Sequence, residues 1–133
     1  MTVRIGIDKD ARYRRQADAI NAERDRRIEA RFTFRGKPFD FDEASKMRIT
    51  GAATLAGFAI GTGAQPGDYR WNRSAVGFTW LSRDNVNVPL DAPTMFAMGQ
   101  AAAEHDRAHI FAARAIKDMV PIPGDWTDDK YWP

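Results

Sequence analysis

The stretch Phe32–Lys46 reads "FTFRGKPFDFDEASK". Two short aromatic runs flank "RGK", and Phe32/Phe34 and Phe39/Phe41 alternate with polar residues. Alternation with a period of two marks strands, and a glycine between the runs marks the turn, so these residues predict a β-hairpin with Gly36 in its turn. Directly after it, Asp40 precedes Glu43 by three residues. Each side chain of such a pair can satisfy a free backbone N–H at the start of a helix. A second helix is therefore predicted to start there and run to about Gly61. Its inward stripe is Ile49, Ala52, Ala56 and Ala59, with Leu55 and Phe58 flanking it.

Upstream, residues from about Asp10 to Arg31 lack Gly and Pro and favour helix. Tyr13, Ala17, Ile20 and Ile28 form a thin apolar stripe that Arg24 interrupts. A helix with so little apolar surface is stable only against a partner, within the chain or outside it. Downstream, "GTGAQPGD" ends the second helix, and "GFTWLSRDNVNVPL" predicts a second hairpin in which Phe78 and Trp80 alternate and "RDN" turns. Asp91 caps a third helix, with Pro93 in its first turn, running to about Met119. Its stripe is Met98, Ala102, His105, His109, Ala112, Ile116 and Met119. The remainder, "VPIPGDWTDDKYWP", is too rich in proline for helix and carries Trp126, Tyr131 and Trp132.

The predicted fold is α+β and mostly helical: helix–hairpin–helix–hairpin–helix with an extended aromatic C-terminal tail. Residues 1–25 are expected to form a helical arm and residues 26–133 a small domain. The Gly/Ala face of the second helix is expected to pack closely on the Ala-rich third helix.

With 133 residues, 44% of them hydrophobic and 29% charged, the chain has the balance of a single globular domain. It has no cysteine, which removes disulfides and thiolate metal ligands. The longest uncharged run, Ile49–Gly67, is short and weakly apolar for a membrane span, and no apolar signal core opens the chain. The net charge of +2 is unevenly spread: residues 1–37 carry +5 and the rest −3. The basic residues of that first segment alternate with acids, in "RYRRQADAINAERDRRIEAR". That interleaving suits ion pairs along a solvated helix better than a phosphate-binding stripe. No nucleic-acid partner and no membrane insertion are expected.

The segment "HDRAH", His105–His109, differs from the zinc-protease pattern H-E-x-x-H by one methylene at its second position. The two histidines sit one helical turn apart, which suits shared metal ligation. They are also the only histidines in the chain. A third ligand would have to be a carboxylate, and Asp106 would have to serve as the general base. His105 and His109 are accordingly read as packing residues of the third helix and as weak metal candidates, with no cofactor expected. No G-x-S-x-G, P-loop or G-x-G-x-x-G motif is present, so no catalytic residue is assigned.

Three stretches together, "RRIEARFTFRGKPFDFDEASKMRITGAATLAGFAI", "GFTWLSRDNVNVPLDAPTMFAMGQAAAEHDRAHIFAARAIKDM" and "DWTDDKYWP", resemble a small domain family of unknown function. That family occurs in tailed phages and prophages, in or beside tail-fibre genes. The resemblance covers about Arg26 to Pro133. Arg31 departs from it, since the family pattern has glycine before "FTF", and this bears on how the first helix ends. The resemblance implies a non-enzymatic virion protein of the phage tail, assembled in the host cytoplasm. It would be a structural or adaptor module contacting other tail or fibre subunits or copies of itself. A fibre-assembly chaperone absent from the mature particle is the alternative within that biology. A metal-dependent hydrolase using the "HDRAH" helix is the alternative of another class. Tyr13, Ile20, Ile28, Trp126, Tyr131 and Trp132 are the expected partner-binding residues, because the thin stripe of the first helix needs a partner and aromatics are the usual anchors of interface energy.

Overall fold

A computed structural model describes residues 2–133, with side chains from Lys9 onward. The elements run α1 (Thr2–Ala30), β1 (Phe32–Phe34), β2 (Lys37–Phe39), α2 (Glu43–Gly61), β3 (Thr79–Leu81), β4 (Asn87–Pro89) and α3 (Ala92–Asp118). An aromatic tail with a 3-10 turn at Asp129–Tyr131 follows. The protein is thus α+β and mostly helical, in the order expected from sequence. Contacts divide the chain into two units: one takes the chain through Ile28 together with Asp106–Pro133, the other is Glu29–His105. The boundary expected at residue 25 falls inside α1. The cause is that α1 is no free arm: its Ile20 is buried with residues of α3 and the tail. Residue 1 of the expected arm lies outside the described residues.

In the unit Glu29–His105, the first hairpin pairs Phe32 with Phe39 and Phe34 with Lys37. Its two-residue turn has Arg35 at φ 51° and Gly36 at φ 79°. Positive φ at both positions gives the turn whose twist matches that of the paired strands. Phe32, Phe39 and Phe41 are buried, and the rings of Phe32 and Phe41 lie 4.5 Å apart. Asp42, not Asp40, caps α2 by accepting from the Ser45 N–H at 3.2 Å. Asp40 instead pairs with Arg83, Oδ1 to Nε, at 3.1 Å.

The second hairpin pairs Thr79 with Pro89 and Trp80 with Val88. Its turn closes through Ser82, whose backbone N–H donates to the Val86 carbonyl and whose hydroxyl donates to Asp84. Asn85 takes the left-handed conformation at φ 63°, which asparagine tolerates. Before β3, the ring of Trp71 lies 4.6 Å from that of Phe78, and its indole N–H donates to the Leu90 carbonyl. Asp91 joins two segments: one carboxylate oxygen caps α3 at the Thr94 N–H, and the other accepts from the Gly67 N–H. These donors hold its carboxyl below the ordinary range, the Thr94 bond contributing most. The expected close approach of α2 and α3 is found at Ala53 and Gly99, where a Cβ on Gly99 would collide with the Ala53 methyl.

Candidate protein-contact surface

The other unit is held by a small core of Ile20, Ala113, Ile116 and Trp132, against which Ala112, Ile122, Trp126 and Tyr131 pack. Arg27 fastens the tail to α1. It donates to the Thr127 carbonyl at 2.7 Å, pairs with Asp129 at 3.0 Å, and lies over the Trp132 ring, 5.2 Å from its centroid. Glu23 accepts from Nε of the same guanidinium at 2.7 Å and grips Arg26 through both carboxylate oxygens. The Arg26 hydrogen bonds lower the Glu23 pKa most, burial opposes them, and Arg27 lowers it further, to about 2. The tail also closes on itself. The Trp132 indole donates to the Trp126 carbonyl, Tyr131 Oη donates to Asp125, and Asp128 caps the 3-10 turn.

The residues expected to bind a partner are therefore divided. Ile20, Ile28 and Trp132 are buried within the chain, and Trp126 and Tyr131 are half-buried against the same core. The apolar surface of Ile20, Trp126, Tyr131 and Trp132 is spent joining the tail to α1 and α3. Tyr13 alone of the set is exposed. Its hydroxyl lies 3.5 Å from the Lys117 carbonyl and 3.4 Å from the Arg114 guanidinium.

Tyr13 thereby marks a surface that reading for terminal aromatics misses. On α3, Ile110 and Phe111 are exposed, Phe111 by 59%, and Arg107 lies over the Phe111 ring at 4.8 Å. Arg114 follows one turn later and is held by Asp118 at 2.7 Å. At about 3.6 residues per turn, Arg107, Ile110, Phe111 and Arg114 share the side of α3 opposite His109, Ala113 and Ile116. Aromatic residues with arginines are the composition of contact anchors. Helical arithmetic on α3 was enough to find this face, since its buried stripe fixes what the opposite side must be.

The two histidines of "HDRAH" take packing positions. The His105 ring meets Phe32 and Phe41 edge-on, at 5.4 and 5.2 Å between centroids. His109 is buried. Among the described residues, no group of three or more His, Asp or Glu side chains stands close enough to hold a metal ion. Also among the described residues, no helix is long and apolar enough to cross a membrane. In the basic N-terminal segment, Arg24, Arg26 and Arg27 each pair with a neighbouring acid of α1.

Comparison with known proteins finds one family model, described as "Domain of unknown function (DUF4376)", matching residues 10–131. Neither the curated proteins nor the solved structures contain a match.

Proposed function

The chain belongs to the family of the domain of unknown function DUF4376, and from that starting point we propose that it is a non-enzymatic structural or adaptor protein of a phage tail. In this reading it is built into the virion after assembly in the host cytoplasm and acts by gripping another tail or fibre subunit. The phage setting rests on the sequence resemblance to proteins of tail-fibre regions. The contact role rests on one observation: Tyr13, Phe111 and Ile110 stand exposed around Arg107 and Arg114 on one unit. A monomer gains nothing from large aromatics held in water, whereas aromatic and arginine side chains at the centre of an interface contribute most of its free energy.

The test is capture and location. Tagged full-length protein is expected to retain a tail or fibre subunit from a phage lysate, and peptides of this chain are expected in purified particles. Phe111→Ala and Arg114→Ala, both at exposed positions, are expected to weaken capture by about 10-fold or more while leaving the fold intact. Particles lacking the chain, with capture retained, would turn the reading to an assembly chaperone. No capture and no presence in particles would end it.

A further inference from the structure

Helix α2 carries its large and small apolar side chains on the sides opposite to those a lone domain needs. Towards the core it presents Ile49, Ala53 and Ala56, all buried. Towards solvent it presents Met47, Leu55 and Phe58, which are 71, 64 and 71% exposed. At about 3.6 residues per turn these three fall on one stripe, diametrically opposite the buried set. Thr50, Gly51 and Thr54 fill the same stripe, and no charged residue occurs between Ile49 and Gly67. The solvent face of a surface helix is ordinarily charged. A dry interface centre is instead depleted of charge and enriched in Met and Phe.

We propose that a second copy of this chain covers this face, the two α2 helices packing antiparallel about a two-fold axis. Three features select a second copy over other occupants. A two-fold contact sets a patch against itself, so a net charge on it would repel its own copy; this patch carries no charge from Ile49 onward, and the exposed Glu43 and Arg48 that rim it beside Met47 are of opposite sign. The stripe is also complementary to its own reverse. With the axis passing between Ala52 and Ala53, Met47 faces the partner's Phe58, Leu55 faces the partner's Thr50, and Gly51 faces the partner's Thr54. Large side chains thus meet apolar or small ones, and Gly51, where an added Cβ would meet nothing within 4 Å, admits a close backbone approach. The area is also of the right order. An aromatic side chain buries about 150–250 Å², so Phe58 alone offers roughly 140 Å² at its observed exposure, and Met47 and Leu55 add further apolar surface beside it. The intervening threonines and glycine extend the patch, as does the exposed Phe96, whose ring borders it at Gly57. Together they bring it towards the ~800 Å² per partner of a stable interface. This surface lies in the unit Glu29–His105 and is independent of the tail-subunit contact proposed above, which uses α1 and the second half of α3.

Sedimentation equilibrium of the full chain between about 1 and 100 µM, where interfaces of this area dissociate when they are weak, is expected to show a dimer at the upper end. Leu55→Glu and Phe58→Glu, which would bury an unpaired carboxylate against the partner's Thr50 and the partner's Met47, are expected to weaken it by at least ~30-fold with the helical circular dichroism unchanged. A parent that is monomeric at the highest concentration overturns the proposal, including one that binds vesicles or another protein through this face. So does a dimer that survives both substitutions. If the glutamate variants lose their helical signal, cysteine pairing decides. The chain has no cysteine of its own, so an oxidised mixture of Gly51→Cys and Thr54→Cys chains is expected to yield the mixed disulfide in preference to pairs with a Thr33→Cys control. Equal yields overturn the proposal.

Discussion

The guanidinium of Arg83 donates to the carbonyl of Ala30 at 2.9 Å, across 53 positions of sequence. The same group reaches the Glu29 carbonyl at 3.0 Å, while the Arg83 backbone N–H donates to Pro38. The end of a helix leaves carbonyls without intrahelical partners and carries partial negative charge. Here no left-handed glycine closes α1; a cation from the second hairpin does so. Arg31 is thus followed directly by β1, and the orphan carbonyls are met from elsewhere in the unit.

Arg83→Ala is expected to destabilise the protein by about 1–3 kcal/mol, the range for hydrogen bonds to a charged group discounted for partial exposure. Arg83→Lys is expected to recover less than half, because an ammonium cannot span the Glu29, Ala30 and Asp40 acceptors as a fork. Urea denaturation midpoints of the three proteins check both statements.

Gly99→Ala tests the helix contact by its sign. Within a helix, alanine is ordinarily more stable than glycine by roughly 1 kcal/mol. The methyl would collide with Ala53, itself on helix backbone that cannot swing aside, and overpacking of that kind costs about 1–3 kcal/mol. A lowered melting temperature is expected, and a raised one would show that the two helices do not meet there.

Glu23 predicts an acid-side loss of stability. Its folded pKa of about 2 lies below the ordinary 4.5. The folded carboxylate therefore stays ionised where the unfolded one takes up a proton. The stabilisation is complete above about pH 4.5 and falls away as pH drops from there towards 2. It amounts to on the order of 1–2 kcal/mol, since solvent screens the exposed Arg26. Glu23→Gln is expected to flatten this part of the stability–pH curve, measured by chemical denaturation at each pH.

Trp132→Ala is expected to cost about 3–5 kcal/mol, because it empties the site against Ile20 and Ile116 and removes the ring beneath Arg27. Trp132→Phe keeps the apolar contact and loses the bond to the Trp126 carbonyl, for about 1 kcal/mol. Removing residues 125–133 is expected to expose the same core and raise binding of an apolar dye. Thermal melts and dye fluorescence measure these outcomes.

The order of elements was legible in the sequence because each element is signalled locally. Alternating Phe32/Phe34 and Phe39/Phe41, the glycine at 36 and the Asp91–Thr94 cap act within a few residues of one another. The stripe of α3 was legible for the same reason, since one side is apolar and the other carries Arg107 and Arg114. The family resemblance, read over about Arg26 to Pro133, missed the segment from residue 10 that the family match includes. Two features depended on the tertiary structure. The alanine stripe of α2 was legible, but because the helix is apolar on both sides Leu55 and Phe58 read only as flanking it, and packing on α3 decides that both turn out to solvent and that Ala53 turns in. The aromatic tail and α1 each show unused apolar surface when read alone. They satisfy one another through Arg27, Trp132 and Ile20 because burial is a property of pairs of segments far apart in the chain, and no local pattern encodes which pair will meet.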